Sequence, residues 1–167
     1  EVRFDVIKGN ISEIAYLAEG IGTTKGVDAN LDALSTEGNL CWHTDLARKV
    51  STQTGAAIVI SGPIDIVADS HEAWAIRNGH PMMANITGTG CMSAGVIGCC
   101  VGADPQALLP SCVCAMSAMG ICGELAYEKL LSVDGGSGTY RVLLMDAMSK
   151  LDGATLTRRS KAERLRI

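Results

Sequence analysis

Asn85-Ile86-Thr87-Gly88-Thr89-Gly90-Cys91, running at once into the small-residue stretch 92–103, decides how this chain is read. A glycine-rich turn that feeds directly into a helix leaves backbone N–H groups pointing out of the helix start. With the positive end of the helix dipole, those donors make a site for a phosphate or a developing oxyanion. Glycines at 88 and 90 let a phosphate approach the backbone and permit the positive φ angles such a nest requires. Cys91 adds a side chain able to take a proton from a substrate. The same letters also fit an ordinary turn with a buried cysteine, so the neighbouring segments have to decide.

Outward from this stretch, strand and helix patterns alternate. Residues 56–60 form a continuous apolar run with three β-branched side chains, the mark of a strand buried on both faces, and Ser61-Gly62-Pro63 breaks it. Residues 64–68 and Ala73–Ile76 read as short strands joined through Asp69-Ser70-His71-Glu72, and Asn78-Gly79 is a turn signal. Upstream, residues 4–7 read as a strand that runs into Lys8-Gly9-Asn10. A helix over 11–18 follows, with Ile14, Leu17 and Ala18 on one face. Residues 21–38 read as a polar loop with room for a helical turn at 29–34. Leu40–Thr54 is helical by spacing, with Leu46 and Val50 inward, and stops at Gly55. Downstream, residues 91–103 are a helix. Asp104-Pro105 offers the cap and first-position proline of the next, which runs to about Leu131 with Pro110 in its first turns or kinking it. A loop at 134–138 and a final helix over 140–151 complete the order. The pattern predicts one layered α/β domain over residues 1–167, without internal repeat or linker.

Composition narrows the function. The 167 residues suffice for one domain or most of one, and nineteen glycines beside six aromatic residues imply close helix–strand packing rather than an aromatic core. A net charge of −4 argues against a nucleic-acid partner. The basic residues Arg158, Arg159, Lys161, Arg164 and Arg166 read as a solvated surface helix or strand end. Seven cysteines form no CxxC pair, and the three histidines complete no zinc spacing. Free cysteine in apolar runs behaves as a small hydrophobe, which suits a reducing cytoplasm. No signal-peptide pattern is read, and residues 86–103, apolar but short and glycine-laden, are expected to form a buried helix rather than a membrane span. The chain opens at Glu1 on a strand-like segment and is expected to be a piece of a longer polypeptide.

Four further segments carry candidate chemistry. In Lys8-Gly9-Asn10-Ile11-Ser12-Glu13, Asn10 caps a helix and Glu13 closes a capping box; a second reading puts Lys8 on an anionic ligand and Glu13 near Mg²⁺ or its water shell. Ser61-Gly62 lies at a strand end, where α/β proteins place ligand contacts, and is equally a generic turn. Gly135-Gly136-Ser137-Gly138 is either a plain inter-helix loop or a lid over a nucleotide, and His80 is read as a loop or packing residue rather than a base.

In their order and spacing these pieces resemble the hydroxyethylthiazole kinases of thiamin salvage, within the ribokinase-like superfamily. The shared string is a strand with Lys8-Gly9-Asn10-x-x-Glu13-Ile14, then Lys25-Gly26-Val27-Asp28, then Ile60-Ser61-Gly62-x-x-Asp65. Asn78-Gly79-His80-Pro81-x-Met83 and Thr87-Gly88-Thr89-Gly90-Cys91 complete it, so the likeness runs from about residue 5 to about residue 151. The last element discriminates, because most of the wider superfamily carries Asp where this chain has Cys91.

The resemblance implies a ribokinase-like three-layer α/β/α fold, with the family's N-terminal portion, and much of the thiazole pocket, not represented in this chain. It implies transfer of phosphate from ATP, with Mg²⁺, to the hydroxyl of 4-methyl-5-(2-hydroxyethyl)thiazole. Gly88 would contact the thiazole, the backbone of Thr89 and Gly90 would hold the phosphoryl group, and Cys91 would stand by the alcohol as a weak base. Lys8 falls where the family has an ATP-contacting Arg, and Ser61 where it has Thr; Lys lacks the planar fork that grips phosphate bidentately. Gly136 and Gly138 match a loop near the nucleotide, and the family assembles as a homotrimer with sites between subunits. Rival readings are a hydroxymethylpyrimidine-type small-alcohol kinase, which Cys91 opposes, and an inactive or regulatory ATP-binding remnant. A redox or metal protein comes third.

Overall fold

The computed structural model describes residues 2–19 and 36–166; most of the loop expected at 21–38, and the whole Lys25-Gly26-Val27-Asp28 element, lie outside them. Five strands, β1 (Val6–Gly9), β2 (Ala57–Ile60), β3 (Asp65–Ala68), β4 (Ala73–Ile76) and β5 (Ala162–Arg164), form one sheet in that spatial order. β1 runs parallel to β2, with Val6 opposite Ala57 and Gly9 opposite Ile60. The other pairings are antiparallel, with Ile58 opposite Ala68, Asp65 opposite Ile76 and Trp74 opposite Arg164. A parallel pair needs a long crossover, and α1 (Ile11–Glu19) and α2 (Leu40–Thr54) lie on it.

β2 shows why the fold has three layers. All four of its residues are buried, and successive side chains point to opposite faces. Ile58 and Ile60 join Ile11, Ile14, Ala18, Ala47 and Val50 of α1 and α2. Ala57 and Val59 join Ile97 of α3 (Thr89–Ala103) and Leu109, Cys112 and Ala115 of α4 (Leu108–Leu130) on the other side. α5 (Ser137–Lys150) packs onto α4 through Tyr140 and Leu144, which meet Ile86, Met119, Cys122 and Ala126. α6 (Gly153–Arg159) then leads into β5.

Several expectations need correction. β1 begins at Val6 rather than at residue 4, leaving Phe4 exposed. α1 buries Ile11, Ile14, Ala15 and Ala18, a stripe at i, i+3, i+4 and i+7; Leu17, expected inward, falls outside the stripe and is 48% exposed. α4 starts at Leu108, not at Asp104-Pro105, because residues 104–107 close a separate turn with the Ala107 N–H on the Asp104 carbonyl. Pro110 falls in the first turn of α4, where its missing N–H removes no intrahelical bond. α5 begins three residues before the expected start, and it is not final, since α6 and β5 follow.

The basic tail does form a surface strand and helix end, with Arg159 paired to Glu128 and Arg164 to Glu72, both at 2.7 Å. α3 is not the buried helix expected. Its small residues leave no apolar stripe, so only Ser93 and Ile97 are buried while Cys91, Ala94, Gly95, Gly98 and Cys99 are exposed among the described residues. Among the described residues one helix, Leu108–Leu130, is long and apolar enough to cross a membrane, and it is the central, largely buried helix of the fold.

Candidate active site

The start of α3 meets the C-terminal end of β1. Gly88 caps the helix with φ +100°, a conformation L side chains avoid, and its carbonyl accepts the Met92 N–H at 2.9 Å. Thr89, Gly90 and Cys91 are then the first three helical residues, whose N–H groups have no carbonyl within the helix to reach. The Thr89 hydroxyl donates back toward the Met83 and Ile86 carbonyls at 3.4 and 3.5 Å, pinning the turn from below. Cys91 is exposed, so the reading as a buried packing cysteine does not hold for it.

Lys8, near the end of β1, reaches across 82 residues of sequence to this turn: its Nζ donates to the Gly90 carbonyl at 3.2 Å. One residue on, the Gly9 carbonyl accepts the Ser61 N–H at 2.9 Å and the Ser61 hydroxyl at 3.4 Å, tying β1 to the end of β2. The Asn10–Glu13 pair is a reciprocal capping box. Asn10 Oδ1 accepts the Glu13 N–H at 2.9 Å, and Glu13 Oε2 accepts the Asn10 N–H at 2.7 Å. Lys8, Ser61 and Glu13 therefore gather around one strand end beside residues 88–91.

Asp65 belongs to the same corner, although the sequence pattern assigned it no role. It is buried, its Oδ1 accepts the Gly62 N–H at 2.9 Å, and burial pushes its carboxyl up to about 7. The Gly62 hydrogen bond and the Lys8 charge pull the other way without matching the burial. The sequence clues were its place in the Ile60-Ser61-Gly62-x-x-Asp65 element and a carboxylate inside an otherwise apolar short strand.

Gly136 and Gly138 open a second helix. Gly136 precedes α5 and its carbonyl accepts the Tyr140 N–H at 2.9 Å, so the segment is a helix start rather than a plain loop. Among the described residues no hydrogen bond joins 136–138 to the 88–91 turn. His80 accepts the Met82 N–H on Nδ1 at 3.1 Å, capping the 3-10 turn, and stacks on Tyr127 with ring centroids 3.6 Å apart, which agrees with its reading as a loop or packing residue. All seven cysteines are free; burial holds the Cys112 and Cys122 thiols up at about 11, as packing residues. Among the described residues no group of three or more His, Cys, Asp or Glu gathers to hold a metal ion.

A model of the hydroxyethylthiazole kinase family matches residues 1–154. The chain is 50% identical over its whole length to a hydroxyethylthiazole kinase of Desulfovibrio desulfuricans, covering 61% of that protein. It is 45% identical over 93% of its length to one of Clostridium acetobutylicum, covering 57%. The chain thus spans about 60% of the length of these curated relatives. It also shares its fold with a solved hydroxyethylthiazole kinase structure from Pyrococcus horikoshii OT3, at TM-score 0.74 and 23% identity, over 97% of this chain and 55% of the other.

Proposed function

The chain belongs to the hydroxyethylthiazole kinase family, and from that premise we propose that it carries the phosphoryl-transfer part of an ATP-dependent kinase acting on 4-methyl-5-(2-hydroxyethyl)thiazole. The observation that carries this reading is the Gly88-capped start of α3, where three unsatisfied N–H groups and the exposed Cys91 side chain share one turn.

Phosphoryl transfer asks for positioning and charge stabilisation more than for covalent chemistry. The alcohol oxygen bonds to the γ-phosphorus as the bond to the β-bridging oxygen breaks; ADP departs, and the alcohol proton passes to Cys91 acting as a thiolate, which becomes the thiol. The N–H groups of Thr89, Gly90 and Cys91 face the charge that develops on the transferring group. Gly88, without a side chain, leaves room for the thiazole ring against the turn. Lys8 and Ser61 supply an ammonium and a hydroxyl to the nucleotide phosphates, and the α5 start at Gly136 and Gly138 offers a second set of helix N–H groups. Glu13, with one oxygen used by the capping box, would offer its other oxygen to the water shell of a Mg²⁺ ion bound with the triphosphate, which would neutralise phosphate charge.

The reading treats residues 1–167 as one ribokinase-like unit, places the protein in the cytoplasm, consistent with its seven unpaired cysteines, and assembles it as a homotrimer. It gives no role to nucleic acid or to a membrane. ADP release measured with the thiazole and with hydroxymethylpyrimidine, beside ATP binding by calorimetry, tests it. Turnover of the thiazole is expected from the full-length protein that contains this chain. Preference for the pyrimidine, or ATP binding without turnover of either alcohol, would overturn it.

A further inference from the structure

One turn of α4 carries both of the loops that the proposed reaction needs. Gly120, Gly123, Glu124 and Tyr127 are spaced i, i+3, i+4 and i+7, so they form a single helix face. Residues 78–83 lie directly on it. A Cβ at position 120 would stand 2.6 Å from the Asn78 carbonyl, so only glycine admits this approach there, and one at 123 would push the Met83 side chain aside. Tyr127 stacks on His80 a turn further along.

Glu124 holds the start of the same segment. Its Oε1 accepts the Gly79 N–H at 3.1 Å, the Asn78 side-chain amide at 3.2 Å and the Lys161 ammonium at 2.9 Å. Asn78, buried, also donates to the Arg159 carbonyl at 3.0 Å and accepts the Lys161 N–H at 2.7 Å. From there the chain runs through the 3-10 turn Pro81–Asn85, whose Met83 carbonyl receives the Thr89 hydroxyl, into Gly88. The other loop is fastened to the same place. The Gly123 carbonyl accepts the buried Tyr140 hydroxyl at 2.9 Å, and Tyr140 stands in the first turn of α5, next to Gly136 and Gly138.

We propose that Glu124 is a positioning residue: by clamping Asn78 and Gly79 onto the α4 turn that also anchors Tyr140, it sets where residues 88–91 stand relative to residues 136–138. The kinetic consequence rests on the function proposed above. A displacement of about 1 Å at the reacting groups costs on the order of 10²-fold in rate, so a clamp remote from the chemistry acts on kcat.

The test is made in the full chain with Glu124→Ala and Glu124→Gln. Glutamine keeps an oxygen for the Gly79 and Asn78 donors and loses only the charge opposite Lys161. Glu124→Ala is expected to lower kcat by roughly 10- to 10²-fold with KM for ATP nearly unchanged, and Glu124→Gln to recover most of the loss. Amide exchange over 79–91 quickens in the alanine variant alone, while α2 stays protected. If the alanine variant does not fold, Glu124→Asp, too short to reach all three donors, carries the same prediction. Unchanged kcat in the alanine variant, equal loss in the glutamine variant, or faster exchange throughout the protein would each overturn the proposal. The exchange measurement needs no turnover, so a wild type that failed to phosphorylate the thiazole would refute the functional reading and leave this one decided by exchange.

Discussion

Replacing Asp65 with Asn should flatten a fall in stability that the wild type shows as pH rises from about 5 to about 8. Asp65 is buried at the start of β3, and its carboxyl, ordinarily at 3.8, is pushed up to about 7. Between those two values the unfolded chain has lost the proton and the folded chain keeps it, so the folded state binds more protons and stability declines with rising pH. The gap between 3.8 and about 7, at ~1.4 kcal/mol per pH unit, amounts to about 4 kcal/mol in all, of which about 2–3 kcal/mol falls between pH 5 and pH 8. Asparagine is isosteric, retains an oxygen for the Gly62 N–H and does not titrate. His43, whose pKa burial lowers, adds an opposite slope below its ordinary 6.5, but it is present in both proteins and cancels in the comparison. The carboxylates held low by Arg77, Arg159 and the Thr155 N–H (Glu37, Glu128 and Asp152) add an opposite slope at the acid edge of this window, which is common to both proteins and cancels in the comparison. Urea denaturation of both proteins across the window is the assay. Parallel pH profiles, or a wild type that gains stability over the variant as pH rises, would refute the account of a protonated Asp65.

Gly88→Ala meets no atom within 4 Å, so its cost is the strain of holding an L side chain at φ +100°, about 1–2 kcal/mol. A melting temperature lower by several degrees is expected, and an unchanged one would mean that residue 88 does not hold this conformation. Glu13→Gln keeps the bond to the Asn10 N–H, so melting should not move, while the rate at limiting Mg²⁺ should fall. An unchanged Mg²⁺ dependence would leave Glu13 as a helix cap alone.

What was legible in the sequence was local. The run at 56–60 announced a strand buried on both faces, and Gly55 marked the end of α2, because each depends on residues within a few positions. The capping box at Asn10 and Glu13 was legible for the same reason. Asp104-Pro105 misled because a cap and a proline suit a turn as well as a helix start, and 104–107 close on themselves before α4 begins. Leu17 was misplaced by choosing the larger residue over the i, i+3, i+4 stripe to which Ala15 belongs. α3 could not be oriented at all, since a helix of small residues has no apolar side to read. Contacts made at long range left no mark: the Lys8 reach to Gly90 spans 82 residues, and Glu124 reaches Gly79 over 45. Glycines 120 and 123 carried no reading in the sequence, yet they form the bed for residues 78–83.

The central claim is that residues 88–91 carry out phosphoryl transfer with Cys91 taking the proton. The measurement that tests it most directly is the rate of phosphorylated thiazole formation from ATP by the full-length protein as wild type, Cys91→Ala and Cys91→Asp. The account predicts turnover by wild type, a kcat lower by about 10- to 10³-fold for the alanine variant, and retained activity for the aspartate variant, whose carboxylate can also accept the proton. Near-full activity in Cys91→Ala would contradict it, removing the thiol from the mechanism.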